Sequence, residues 1–134
     1  MTDYIKLLKT NDLKATIQRT GILKSIDNAG HFNIDEIYED VKEQYPTLSL
    51  ATIYKNIILM VKQSVIVEVP MNGEKSKYEL KKDDHIHLIC KSCGNIEDNP
   101  ITKEKEQILS IKNFKLTNAQ INLYGICQEC QSKI

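Results

Sequence analysis

The chain has no tryptophan, only two phenylalanines and three prolines, and just five glycines in 134 residues. Without large aromatics the core must be built from aliphatic side chains, and the scarcity of Pro and Gly excludes collagen-like and low-complexity architectures. No stretch approaches the ~18 consecutive apolar residues of a membrane span. The opening MTDYIKLLKTNDLK carries neither an apolar h-region nor a small-residue cleavage site. A cytoplasmic protein with no membrane partner is the expectation. Arginine is almost missing, with Arg19 the only one, and the net charge is zero. Bulk charge therefore gives no attraction to nucleic acid, although residues 44–67 hold Lys55 and Lys62 and no acidic residue.

What is present is 41% hydrophobic and 27% charged, the balance of a folded soluble chain. Two lobes of roughly 70 and 55 residues would each be small enough to need a staple or a partner. The first half reads as helices in quick succession. Thr16 caps a helix carrying Ile17, Leu23 and Ile26 inward, with Gly30 as its stop. Asn33 and Glu36 form a capping-box start to a helix with Ile34, Ile37, Tyr38 and Val41 on one face. Ser49 caps a third helix with Leu50, Ile53, Ile57 and Val61 at helical spacing, and Thr52, Lys55, Asn56 and Leu59 on the opposite face. From Val65 the period changes to two, Asn72-Gly73 is a hairpin turn signal, and Lys77 to Leu80 forms a return strand.

Helices followed by a two-stranded wing is a winged helix-turn-helix pattern, with the third helix offered to the major groove. A helical bundle with a hairpin and no DNA role fits the same pattern. The second half is mixed. A strand is expected over His85–Cys90 and a turn at Cys93-Gly94. A helix opened by Asn99-Pro100 should carry Ile101, Ile108 and Leu109 inward, before strands at Phe114–Leu116 and Ile121–Leu123. The polar stretch over residues 70–82 suits a hinge.

Cys90 and Cys93 form one C-x2-C knuckle, and Cys127 and Cys130 form another. In a reducing compartment two matched knuckles point to a closed tetrahedral Zn²⁺ site, with Gly94 easing the bend after the first. A redox dithiol needs only one such motif at a strand–helix junction. A Cys₄ site leaves no coordination position for catalysis. The zinc deaminase pattern, H-x-E with P-C-x-x-C, is absent, so no enzyme activity is expected. A zinc-bearing interaction module without DNA affinity stays open. His85 and His87 are two apart on the expected strand and so share a face, while Ile86 and Leu88 point into the core. Two imidazoles with a carboxylate suit Fe²⁺, Mn²⁺ or Zn²⁺ better than Ca²⁺ or Mg²⁺. Taken singly, each histidine fits a surface or helix-capping role better than a ligand role.

The runs SLATIYKN from Ser49, DHIHLICKSCG from Asp84 and YGICQEC from Tyr124, with LKAT from Leu13 and Gln18-Arg19, together resemble the ferric uptake regulator superfamily. Within it the chain is similar to the peroxide-sensing repressors. The resemblance covers nearly the whole chain. It implies an α+β protein with a winged-helix DNA-binding domain at 1–78 and a dimerisation and metal-binding domain at 79–134. It implies structural Zn²⁺ on the four cysteines and a regulatory Fe²⁺ or Mn²⁺ on His31, Glu79, His85, His87 and Asp98, one of each per chain. Peroxide would be sensed by oxidation of His31 or His85, releasing a homodimer from palindromic operator DNA contacted through Lys14, Arg19, Ser49, Thr52, Tyr54, Lys55 and Asn56. No small molecule other than peroxide is implied as a substrate.

The carboxylates disagree on the branch. Asp98 matches the peroxide branch, whereas Glu79 matches iron-responsive repressors of iron uptake genes. Asn118 and Ala119 stand where a further histidine-rich site often lies, which favours the peroxide branch. Ile17 stands where the family usually has Pro, and Ser64-Val65 where it usually has the Gly that turns into the wing.

Overall fold

Asp3 accepts a hydrogen bond from the Lys6 amide and so starts α1 (Tyr4–Thr10), a helix not anticipated from the sequence. In the computed structural model, residues 2–82, 85–102, 107, 113–115 and 119–133 are described. They fall into two units, Met1–Lys81 and Lys82–Ile134. The boundary lies three residues beyond the expected 78/79. Glu79 and Leu80 are the last residues of a strand, paired with Val67 and Ile66, and cannot belong to a linker.

In the first unit, Thr16 caps α2 (Ile17–Ala29) by accepting from the Arg19 amide, and Gly30 ends it. The buried stripe is Ile22, Leu23, Ser25 and Ile26. Ile17 does not join it as expected, being 69% exposed on the first turn. A two-residue strand, β1 (Phe32–Asn33), leads into α3 (Ile34–Val41), where both bonds of the Asn33/Glu36 capping box form. Ser49 caps α4 (Leu50–Lys62). Its buried face is Ile53, Ile57 and Met60, while Leu50, expected inward, is exposed.

Ser64 then reverses the chain at φ 62, the left-handed conformation a glycine would take without strain. Strands β2 (Ile66–Met71) and β3 (Glu74–Leu80) form the antiparallel wing. Pairing of Phe32 with Tyr78 and Asn33 with Lys77 adds β1 as a third strand, in the order β1-β3-β2. Leu8, Leu23, Ile26, Ile37, Ile57 and Val65 are among the side chains of one aliphatic core beneath these elements. Each fully buried residue of this kind contributes about 1.5–3 kcal/mol from desolvation.

The second unit is a three-stranded sheet ordered β5-β4-β6. Here β4 is His85–Cys90, β5 is Ile96–Pro100 and β6 is Ile121–Gly125, followed by a short helix α5 (Gln128–Gln131). β5 runs antiparallel to β4, and β6 runs parallel to it. Asn99 and Pro100 do not open a helix. They pair with Ile86 and His85 at the end of β5, an edge strand where a proline without an N–H is tolerated. Ile101 is not helical either, and Phe114 and Lys115 are not in a strand. Ile108, Leu109 and Leu116, expected on the inner side of this region, lie outside the described residues. Among the described residues, no helix is long and apolar enough to cross a membrane.

Candidate metal centres

The parallel pairing of β4 and β6 matches Cys90 with Gly125, so both knuckles leave the same end of the sheet. Lys91 donates to the Gly125 carbonyl at 2.7 Å and ties the first knuckle to the exit of β6. Gly94, at φ 77, closes the turn with its amide on the Cys90 carbonyl at 2.9 Å. All four sulfurs lie within 4.8 Å of one another, and Cys93 Sγ is 3.8 Å from Cys127 Sγ. A tetrahedron with Zn–S bonds near ~2.3 Å has sulfurs roughly 3.8 Å apart, so the thiols fit the ion and are too distant for disulfides.

The backbone prepares one ligand for deprotonation. The Cys127 and Cys93 amides donate to Cys90 Sγ at 3.3 and 3.5 Å, and these bonds lower its thiol to about 6. Cys130 is moved the other way. The Ser92 hydrogen bond lowers it, but the crowding thiols of Cys127, Cys90 and Cys93, together with burial, push it up to about 11. Four thiolates so close together need a cation to coexist. The geometry and chemistry fit a structural Zn²⁺.

In the first unit, pairing of β1 with β3 brings His31 beside Glu79, with His31 Nε2 2.7 Å from Glu79 Oε2. Glu79 is only 1% exposed, which for a carboxylate demands a cationic or hydrogen-bonding partner. His31 is therefore not the solvent-facing residue that its position after Gly30 allows.

In the second unit, His85 and His87 share a face of β4, with ring planes at 82° and centroids 4.4 Å apart. Their Nε2 atoms are 2.8 Å apart, and each lies 3.6 Å from Asp98 Oδ1. Register places Asp98 opposite His87 on β5, a position the sequence reading had outside any strand. Donors at ~2.1 Å from one ion stand about 3 Å from each other, so these three atoms fit a single cation. Ile86 is buried behind them, whereas Leu88, expected in the core, is 38% exposed.

Asn122 was not legible as part of this group. Its Oδ1 lies 2.8 Å from His87 Nδ1 across the β4–β6 pair. With that oxygen accepting, Nδ1 carries the ring proton and Nε2 presents its lone pair toward Asp98. Lys82 occupies the other oxygen of Asp98, Nζ to Oδ2 at 2.5 Å. No short-range pattern marks either contact.

The residues expected at DNA lie in the first unit and differ in environment. Ser49 is the α4 cap, bonded to the Thr52 amide and hydroxyl. Lys14, Thr52, Tyr54 and Lys55 are exposed. Arg19 and Asn56 are bonded to each other.

The model of the ferric uptake regulator family matches residues 10–124. The chain belongs to this family. Ferric uptake regulator proteins are metal-dependent transcriptional regulators rather than enzymes. The peroxide-responsive repressor PerR of Staphylococcus saprophyticus is 34% identical over 99% of this chain and 93% of its own length. A ferric uptake regulation protein of Campylobacter upsaliensis is 33% identical over 97% of this chain and 88% of its own. The crystal structure of the Campylobacter jejuni peroxide stress regulator has a TM-score of 0.76 at 32% identity, covering 96% of this chain and all of that one.

Proposed function

We propose that this ferric uptake regulator family member is a homodimeric repressor that senses hydrogen peroxide. The observation that carries the reading is the His85–His87–Asp98 group, oriented by Asn122, with Asp98 rather than glutamate as its carboxylate. The first unit binds palindromic operator DNA through α4 and its flanking loops. The second dimerises and carries the zinc staple.

His31, Glu79, His85, His87 and Asp98 are the donors for the regulatory Fe²⁺ or Mn²⁺. Occupancy favours the state of the dimer that binds the operator, and so it sets operator affinity. Iron held by these residues would supply the redox chemistry that activates peroxide. His31 and His85 are the imidazoles that would be oxidised, one peroxide oxygen entering the ring and the other leaving as water, and an oxidised ring is a poorer donor. Asn122 keeps the His87 lone pair directed inward throughout, and the cysteines stay on zinc. The similarity to the S. saprophyticus PerR supports this reading.

An iron-responsive repressor of iron uptake genes is the second reading. Glu79 favours it, as does the near-equal identity to the C. upsaliensis ferric uptake regulation protein. Anaerobic Fe²⁺ loading, brief H₂O₂ exposure and mass mapping separate the two. One added oxygen on a peptide holding His31 or His85, absent from the Mn²⁺-loaded control, is expected for a peroxide sensor. Oxidation confined to cysteines leaves the iron-responsive reading. Operator affinity that ignores removal of the second metal would refute metal gating altogether.

A further inference from the structure

Arg19 leaves the first turn of α2 with its guanidinium turned into the protein. Nε donates to Asn56 Oδ1 at 3.0 Å, and Nη1 donates to the Lys14 carbonyl at 2.8 Å. Asn56 in turn donates from Nδ2 to the Thr52 carbonyl at 3.0 Å, one turn back along α4. Both ends of the Asn56 amide are therefore engaged within the protein. The bidentate bond that asparagine makes to adenine needs those same two groups. The planar fork of an arginine suits a bridge between two elements, because its donors diverge at fixed angles. A lysine in its place reaches one acceptor at a time.

We propose that Arg19 is a positioning residue rather than a DNA contact. With Asn56 it forms a strut that holds the α1–α2 loop, and Lys14 on it, at a set spacing from α4. This rests on the DNA-binding reading above. Lys14 and Lys55 then meet one duplex in register without ordering the loop at the moment of binding, a cost that would otherwise weaken the complex. Direct contacts fall to the other expected residues, Lys14, Ser49, Thr52, Tyr54 and Lys55, whose side chains are exposed.

The test uses the full-length protein loaded with Zn²⁺ and Mn²⁺, and a labelled duplex selected in vitro by the wild type. Zinc content and melting temperature establish that each variant is folded. Arg19→Lys and Arg19→Gln should each weaken binding roughly tenfold, and equally, because retained charge does not rebuild the fork. The slope of log affinity against log salt should stay at the wild-type value for both, whereas Lys55→Ala should lower it by about one. Arg19→Gln combined with Asn56→Ala should bind no worse than the weaker single variant. Wild-type affinity in Arg19→Lys, or a slope lowered by about one in Arg19→Gln, would identify a phosphate contact and overturn the proposal.

A DNA-free measurement separates this outcome from failure of the underlying reading. A single arginine gives a single Nε–H resonance, expected to be protected from solvent exchange and to lose that protection in Asn56→Ala. Rapid exchange in the wild type overturns the strut itself. Protection in a protein that selects no duplex overturns the DNA reading, and the positioning role with it, while leaving the Arg19–Asn56 contact standing.

Discussion

The two units of this chain are held together by different means. In the first, side chains from four helices and the wing share one aliphatic core that includes Leu8, Ile26, Ile37, Ile57 and Val65. In the second, the buried apolar side chains among the described residues are Ile86, Ile89, Cys90 and Cys130, and two of these are thiols of the knuckles. Among the described residues, the first unit spreads its stability over many contacts, whereas the second gathers its buried groups around the cysteine cluster. A three-stranded sheet has little apolar surface of its own to bury, so a bound ion would add what a small core lacks.

The comparison is tested most severely by removing the zinc. Chelation, or Cys127→Ser, should withdraw binding free energy on the order of 10 kcal/mol. NMR should then show the β4–β6 resonances collapsing while those of α2 and α4 persist. Cooperative unfolding of both units without zinc would break the contrast. Ile57→Ala should do the reverse, costing about 2–5 kcal/mol in the first unit, while atomic absorption still finds one zinc per chain. Asn122→Ala should weaken Mn²⁺ binding roughly tenfold to a hundredfold by calorimetry and leave the zinc untouched, separating the two metal groups within the second unit. Asn33→Ala should lose about 1 kcal/mol from the α3 capping box in thermal unfolding. Ser64→Gly should gain about 1 kcal/mol by relieving the left-handed backbone. A loss there would mean that the Ser64 side chain compensates for its strain.

The same contrast explains what the sequence discloses. Thr16, Asn33 with Glu36, and Ser49 mark helix starts because a cap acts over three residues, and all three caps form. The two cysteine knuckles are equally local, and their sulfurs converge. Features made by pairing across long separations stay hidden. Strand β5 is polar and lies at an edge, so it lacks the alternation that marks a half-buried strand. Its final Asn99-Pro100 carries a signal shared by helix starts and edge strands. Strand β1 is two residues long and exists only through β3. Asn122 joins His87 across 35 positions, and Arg19 joins Asn56 across 37. The expected DNA-reading roles of Arg19 and Asn56 came from the family pattern, which carries residue identity but not the direction a side chain takes.

The parallel alignment of β4 with β6 has a consequence for how such chains can change length. Because the two cysteine pairs are brought together by strand register, the segment between β5 and β6 can be lengthened or shortened without changing the pairing that aligns the sulfurs. A deletion inside residues 121–125 is a different event. It slides Cys127 by ~3.3 Å, nearly the 3.8 Å that separates it from Cys93, and turns every later side chain of the strand to the opposite face. Insertions should therefore accumulate between residues 101 and 120, while the six residues from Ile121 to Ile126 ahead of the second knuckle keep a fixed number.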